Sequence, residues 1–227
     1  MKIGFISLRN KWYLLTGGLL NQFLFQALIF TKGRYNMNAV LICGSPRKNG
    51  NTEILLNRCK DRFENVGIRT NLVRCAETTI KPCTACGVCR KLANGTCAVT
   101  DDELNDVLSL MCSSDIIVVG SPVYFGSATP NIMSILDRAG YVSRSNGNLF
   151  SRKIGGPLVV ARRAGHNFTF AQLLNWYMIN DMIVPGSSYW NVAFGREPGE
   201  VCNDQEGLNT IDKFAENLIW LAGRVFK

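Results

Sequence analysis

From Met37 onward, short runs of β-branched residues alternate with stretches of helical periodicity, and this alternation constrains the fold more than any other feature. Ala39 to Cys43 is an apolar run that ends at Gly44. A helical pattern follows from about Asn51 to Asn65, with Ile54, Leu55, Leu56 and Phe63 on its apolar face. Thr70 to Val73 reads as a second strand and Asp101 to Met111 as a helix with acids in its first turn. Ile116 to Val119 is the continuous β-branched run of a strand covered on both faces, and Pro130 to Ala139 is a helix with proline first and Thr129 as its N-cap. Leu158 to Ala161, a helix from about Thr169 to Asn180, a short strand near Met182 to Val184 and a last helix from about Leu208 to Ala222 complete the series. Five strands alternating with helices predict an α/β fold with a doubly wound parallel sheet. Right-handed crossovers then gather the loops after the strands at one edge, so function is expected in the loops after strands one, three and four.

The first 36 residues do not share this pattern. Trp12 to Phe30 is a 19-residue stretch without charge, bracketed by Arg9 and Lys11 on one side and Lys32 and Arg34 on the other. As a helix it would reach about 28 Å, close to the hydrocarbon thickness of a bilayer. Asn21, Gln22 and Gln26 are costly in lipid, positive charge on both sides specifies no orientation, and no A-x-A cleavage site precedes Met37. Three readings stay open for residues 1–36: a dispensable extension with Met37 as the true start, a membrane-associating helix, or a packed helix. Residues 37–227 form the expected domain, and membrane contact is expected only if the extension is native.

Charge follows the same division. The net charge is +8, and residues 1–36 hold five basic residues and no acid, whereas the remainder holds 20 basic against 17 acidic. The nearly balanced body has no Lys/Arg run interleaved with aromatics, which argues against nucleic acid. With nine cysteines and no export signal, a reducing, cytoplasmic setting is expected.

Gly44 to Thr52 reads GSPRKNGNT, a polar turn leading straight into a helix N-terminus. Open backbone N–H groups and the helix dipole suit a phosphate, Ser45, Asn51 and Thr52 offer side-chain donors, and Arg47 adds charge. The glycines are one residue too far apart for a Walker A loop, Asn51 stands where its lysine would be, and the G-x-G-x-x-G fingerprint is absent. A plain strand-to-helix turn remains the bland alternative.

With this loop the sequence resembles the flavodoxin-like FMN proteins of the NADPH-dependent FMN reductase and iron–sulfur flavoprotein group. The resemblance continues through GSPVYFGSATPNIMSILDRAG (120–140), ARRAGHNFTF (161–170) and GREPGEVCNDQEGLNT (195–210), and covers residues 37–227 but none of 1–36. It implies a flavodoxin-like sheet of strand order 2-1-3-4-5 with FMN as cofactor. Its phosphate contacts would be Ser45, Arg47, Asn49, Asn51 and Thr52. The aromatic turn Pro122, Val123, Tyr124, Phe125 and Gly126 would face the isoalloxazine ring, and Arg162, Gly165 and His166 would flank it from the other side. Tyr124 and Phe125 could instead fill core space, and His166, the single histidine, could be a surface residue.

Cys83, Cys86, Cys89 and Cys97 form C-x2-C-x2-C-x7-C, while Cys43, Cys59, Cys75, Cys112 and Cys202 are scattered and read as small buried side chains. Three cysteines at successive spacings of three suit one cubane cluster better than zinc, which more often takes two separated pairs. The resembled iron–sulfur flavoproteins carry a compact four-cysteine motif in this place. A [4Fe–4S] cluster leads, with a metal-free loop and zinc as alternatives.

No Ser/His/Asp set, paired-carboxylate motif or H-E-x-x-H motif is evident, and a flavin enzyme needs none, because the cofactor carries the chemistry. The resemblance implies an oxidoreductase passing electrons from NAD(P)H or a ferredoxin-like partner to an acceptor. A non-enzymatic FMN and iron–sulfur carrier, or an FMN reductase without a cluster, is the alternative. A homodimer or homotetramer is expected from the resemblance and from the aromatics Tyr189, Trp190 and Phe194, placed past the last strand.

Overall fold

The computed structural model describes residues 36–226, and the readings of the N-terminal extension fall on residues 1–35, outside them. Five strands form one wholly parallel sheet in the order β2-β1-β3-β4-β5: β1 (Asn38–Cys43), β2 (Arg69–Arg74), β3 (Ile116–Pro122), β4 (Ile154–Ala161) and β5 (Val192–Phe194). This is the doubly wound order expected from the sequence. The helices are α1 (Asn51–Asn65), the short α2 (Val88–Leu92), α3 (Leu104–Ser113), α4 (Pro130–Ser145), α5 (His166–Ile179) and α6 (Gln205–Val225). None of them is long and apolar enough to cross a membrane.

The period of two along each central strand divides the core. Val40 and Ile42 of β1 and Ile117 and Val119 of β3 face α3, α4 and α5, while Leu41, Cys43, Ile116 and Val118 face α1 and α6. Both sets are buried, which is why these strands read as unbroken apolar runs. The edge strand β2 has mixed burial instead. Thr129 caps α4, its side chain accepting from the Ile132 N–H, and Pro130 follows at the first helical position, as the sequence predicted.

The last strand is a correction. Met182 to Val184 makes only a single bridge, Ile183 with Ile154, and the ladder partner of β4 is Val192–Phe194. Proline chemistry explains the switch. Gly155 donates to the Ile183 carbonyl at 3.1 Å and Val159 to the Asn191 carbonyl at 2.9 Å, so every second residue of β4 points its N–H toward this edge. The residue between them is Pro157, which has no N–H, and Pro185 has none to return. The chain therefore leaves the sheet after Val184 and rejoins opposite Val159. Asn191 bridges the gap by donating to the Pro157 carbonyl at 3.1 Å. Tyr189, Trp190 and Phe194 thus lead into and end the last strand instead of lying past it, and all three are exposed.

Candidate functional site

At the carboxyl edge of the sheet, the loops after β1, β3, β4 and β5 enclose a cleft of about 340 Å³. The first wall is the turn after β1. The Gly44 N–H extends the ladder to the Gly120 carbonyl at 2.7 Å, and the Thr129 hydroxyl donates to the Gly44 carbonyl at 2.7 Å, which ties this turn to β3 and α4. Buried Ser45 accepts from the Arg47 N–H at 3.2 Å, and the Gly50 N–H closes the turn on the Arg47 carbonyl. Asn49 sits at φ 55° with its N–H bonded to Glu53 at 2.8 Å; buried Glu53 is held from behind by Arg74 at 2.7 Å. The N-cap of α1 is Gly50, which offers no side-chain cap, so the first-turn N–H groups are left for a ligand where Gly50, Asn51 and Thr52 line the cleft.

Two of the expected phosphate contacts also have a second task. Asn51 donates to the Glu197 carbonyl at 2.9 Å and accepts from the N–H groups of Gly199 at 2.9 Å and Val201 at 3.3 Å. Arg47 donates to the Arg196 carbonyl at 3.1 Å. Both side chains strut the facing wall, Gly195 to Pro198, which sequence reasoning had not placed at the site. A Cβ on Gly195 would stand 2.7 Å from the Asn51 amide nitrogen, so only glycine lets the walls meet this closely. Arg47, Arg162 and Arg196 line the cleft with one carboxylate, Glu197, which pairs with Arg196 at 3.1 Å. The excess positive charge suits an anion.

The wall after β3 is a tight two-residue turn. Tyr124 and Ser127 exchange both backbone hydrogen bonds, at 2.8 and 3.0 Å, around Phe125 at φ 51° and Gly126 at φ 79°, the two positive values of a type I′ turn. Gln172 of α5 holds this turn by accepting from the Ala128 N–H at 2.9 Å. Pro122, Val123 and Tyr124 line the cleft, whereas Phe125 projects wholly into solvent. Neither aromatic fills the core.

Of the remaining expected contacts, Arg162 lines the cleft and Asn49, Gly126, Gly165 and His166 do not. Gly165 packs against Val123 and Gly126 and so supports the aromatic turn from the β4 side. His166 opens α5 with its ring edge-on to Phe194, centroids 5.1 Å apart, and its Nδ1 is buried without a hydrogen-bond partner.

The cysteine segment after β2 is a separate place. Cys83, Cys86, Cys89 and Cys97 line one small cavity of about 20 Å³ together with Val99, Arg138 and Tyr141. Left-handed residues Ala85, Gly87, Ala93 and Gly95 wind the loop around it. Cys83 and Cys86 are exposed; Cys89 and Cys97 are buried. Asn105 clamps the Cys97 backbone from both sides, at 2.8 and 3.0 Å. The Val88 N–H holds the Cys86 thiol below its ordinary value, while burial pushes Cys89 up. Among the described residues no three Cys, His, Asp or Glu side chains converge closely enough to hold a metal ion. The four-thiol donor set suits a soft metal or an iron–sulfur group, and its side chains stand open around the cavity. Burial pushes Cys43 to about 11 and Cys59 and Cys75 to about 12, as inert core thiols should be. Cys202 departs from that expectation and is exposed, and Cys112 is partly so.

Comparison with known proteins agrees with this geometry. The sequence pattern described as NADPH-dependent FMN reductase matches residues 37–197. An iron-sulfur flavoprotein of Methanocaldococcus jannaschii is 33% identical over 181 residues, covering 77% of this chain and 91% of the relative. One from Methanosarcina thermophila is 30% identical over 179 residues, covering 78% and 91%. Among solved structures, RosB with a bound 8-demethyl-8-formylriboflavin-5'-phosphate superposes with a TM-score of 0.66 at 21% identity, over 83% of this chain and 80% of that one. An archaeal flavodoxin gives 0.53 at 14% identity, over 84% and 100%. The two structures establish the flavodoxin-like fold.

Proposed function

This chain belongs to the NADPH-dependent FMN reductase family, and from that premise we propose that it is an FMN-dependent oxidoreductase taking electrons from NAD(P)H or a ferredoxin-type donor. The observation that carries the reading is the uncapped N-terminus of α1 opening into an arginine-lined cleft at the switch point between β1 and β3. Ser45, Thr52 and the first-turn N–H groups would hold the FMN phosphate. Arg47, Arg162 and Arg196 would supply the opposing charge. Pro122, Val123 and Tyr124 offer a flat, largely apolar wall for the ring, and the backbone of this turn is fixed by its own hydrogen bonds and by Gln172. FMN, once bound, supplies the redox chemistry, and the residues of the cleft bind it, orient it and limit water at one face.

Cys83, Cys86, Cys89 and Cys97 would hold a [4Fe–4S] cluster as a second electron site. An FMN reductase without a cluster is the competing reading. The exposed aromatics Tyr124, Phe125, Tyr189, Trp190 and Phe194 fit the contact face of a homodimer or homotetramer.

One preparation tests these points. Anaerobically purified protein should contain one FMN per chain, and iron and sulfide assays should accompany the flavin spectrum. Rapid flavin bleaching by NAD(P)H identifies a reductase, and reduction by ferredoxin alone identifies a carrier. A colourless protein that does not take up FMN in a fluorescence titration rules the reading out.

A further inference from the structure

Arg138, in the middle of α4, has the largest fully buried side chain among the described residues, and it lies beneath the cysteine loop. Its guanidinium donates to the Lys81 carbonyl at 3.0 Å, before the first cysteine of the loop. On the far side it donates to Cys97 Sγ at 3.2 Å and to the Val99 carbonyl at 3.2 Å. Both Nη groups also donate to the buried carboxylate of Asp102, which in turn accepts from the N–H groups of Lys81 at 3.0 Å and Leu104 at 3.2 Å. One fork thus joins the two ends of the segment that carries the four cysteines. A buried ion pair of this kind is weak evidence for stability, since well-packed apolar residues would hold two segments together as well. What apolar residues could not provide is a charged donor aimed at a sulfur.

We propose that Arg138, oriented by Asp102, is the positioning residue of the cysteine site: it fixes Cys97 at the cavity through a charge-assisted N–H···S hydrogen bond and places a buried positive charge beside the thiolate ligands. The proposal rests on the reading of the four cysteines as a ligand set. Local charge and hydrogen bonds to sulfur are two of the means by which a protein sets the potential of an iron–sulfur group, and the Arg138 guanidinium, which itself touches Cys97, brings both to the sulfur while Asp102 balances its charge from the other side. Four thiolates around a cation leave excess negative charge, and one further electron adds to it, so a neighbouring cation favours both filling and reduction. Cys97 is then the anchored ligand of the site, Cys89 is buried beside it, and Cys83 and Cys86 are exposed.

The test uses the full chain, reconstituted anaerobically with iron and sulfide, as wild type, R138Q and the D102N/R138Q pair. The pair removes both charges and leaves uncharged amides, in case R138Q alone leaves Asp102 unpaired and the loop unfolded. Lys91→Gln, an exposed cation on α2, is the control. The expected result is a midpoint potential that falls in R138Q by a tenfold change in the reduction equilibrium, about 59 mV for one electron, and by less in the pair, which loses the hydrogen bond to sulfur without changing the net charge, with the flavin midpoint and the control unchanged. An unchanged cluster potential overturns the proposal. If the wild type takes up no iron and sulfide, the iron–sulfur reading fails, and Co(II) added to the metal-free protein decides the role of Arg138. Thiolate-to-cobalt bands with at least tenfold weaker affinity in the variants, the size expected when a residue behind a ligand is lost, uphold it. Equal affinities, or no thiolate bands in the wild type, overturn it.

Discussion

The turn after β1 and the cysteine loop after β2 leave neighbouring strands of one sheet, yet only the first is closed around its ligand groups. Its donors are backbone N–H groups, whose positions are settled once Gly44, Gly50 and Thr129 are in place. These groups do not repel one another and can stand ready in the empty protein. The cysteine loop has donors of the opposite kind. Thiolates repel one another and lose hydration when brought together, so gathering four of them takes a cation; of these four, Cys89 and Cys97 are buried and Cys83 and Cys86 exposed. A site for an organic phosphate can be finished by folding alone. A site of thiolates can only be part finished by it, and here the ligand that Arg138 and Asn105 hold in place is Cys97.

That contrast predicts different outcomes for the loss of one arginine. Replacing Arg138 by Ala removes one partner of a buried pair, which costs roughly 3–5 kcal/mol, and should lower the melting temperature of cofactor-free protein. Replacing Arg47 by Ala removes an exposed side chain whose bond spans two loops. It should leave cofactor-free melting unchanged and weaken FMN binding, with a lost charge-assisted hydrogen bond worth about 1.5–3 kcal/mol. Calorimetry and flavin fluorescence titration separate the two. An Arg47 variant that melts early but binds FMN normally would reverse the comparison.

Acid offers a smaller perturbation of the same contrast. Burial pushes the Asp102 carboxyl up, but hydrogen bonds from Arg138, Lys81 and Leu104 outweigh it and hold the group below the usual carboxylate range. A depressed folded value gives stability that is fully present above the ordinary carboxylate value, about 3.9, and is lost as pH falls through the folded value. A plot of melting temperature against pH should therefore fall more steeply below about pH 4 in the wild type than in Asp102→Asn, the two curves approaching each other in strong acid. Parallel curves would mean that the carboxylate is not linked to folding.

How far the sequence reveals each region depends on the kind of interaction that makes it. Strands β1 and β3 are legible because both faces are buried and the apolar run is unbroken. Strand β5 lies away from the local apolar run because its position is decided by a missing N–H on a different strand, at Pro157, and a run of Met-Ile-Val has no means of showing that. The phosphate turn announces itself by glycine, proline and small polar residues before a helix. Its facing wall, Gly195 to Pro198, reaches the cleft only through the long-range bonds of Asn51 and Arg47. Arg138 does leave a trace in the sequence. It stands three residues after Ile135 and four before Val142, both buried, so helical spacing alone places a charge on the apolar face of α4.

The turn at Phe125 gives the mildest test, and it bears on how the finished site meets its surroundings. A type I′ turn asks for φ above zero at both central residues, and Asn-Gly satisfies this far better than Phe-Gly. Phe125 holds φ 51° with its ring entirely in solvent, so the chain bears backbone strain for a side chain that touches nothing within its own fold. Phe125→Asn should raise the melting temperature of an isolated protomer by the equivalent of about 1 kcal/mol, the usual cost of a left-handed L-residue. If Phe125 instead packs on a second copy beside the cleft, the same substitution should lower the mass seen by light scattering at micromolar concentration, with FMN affinity held by the cleft residues and unchanged. A variant that gains stability and keeps its assembled mass would show that the exposed ring serves no contact between copies, leaving Tyr189, Trp190 and Phe194 as the face to examine.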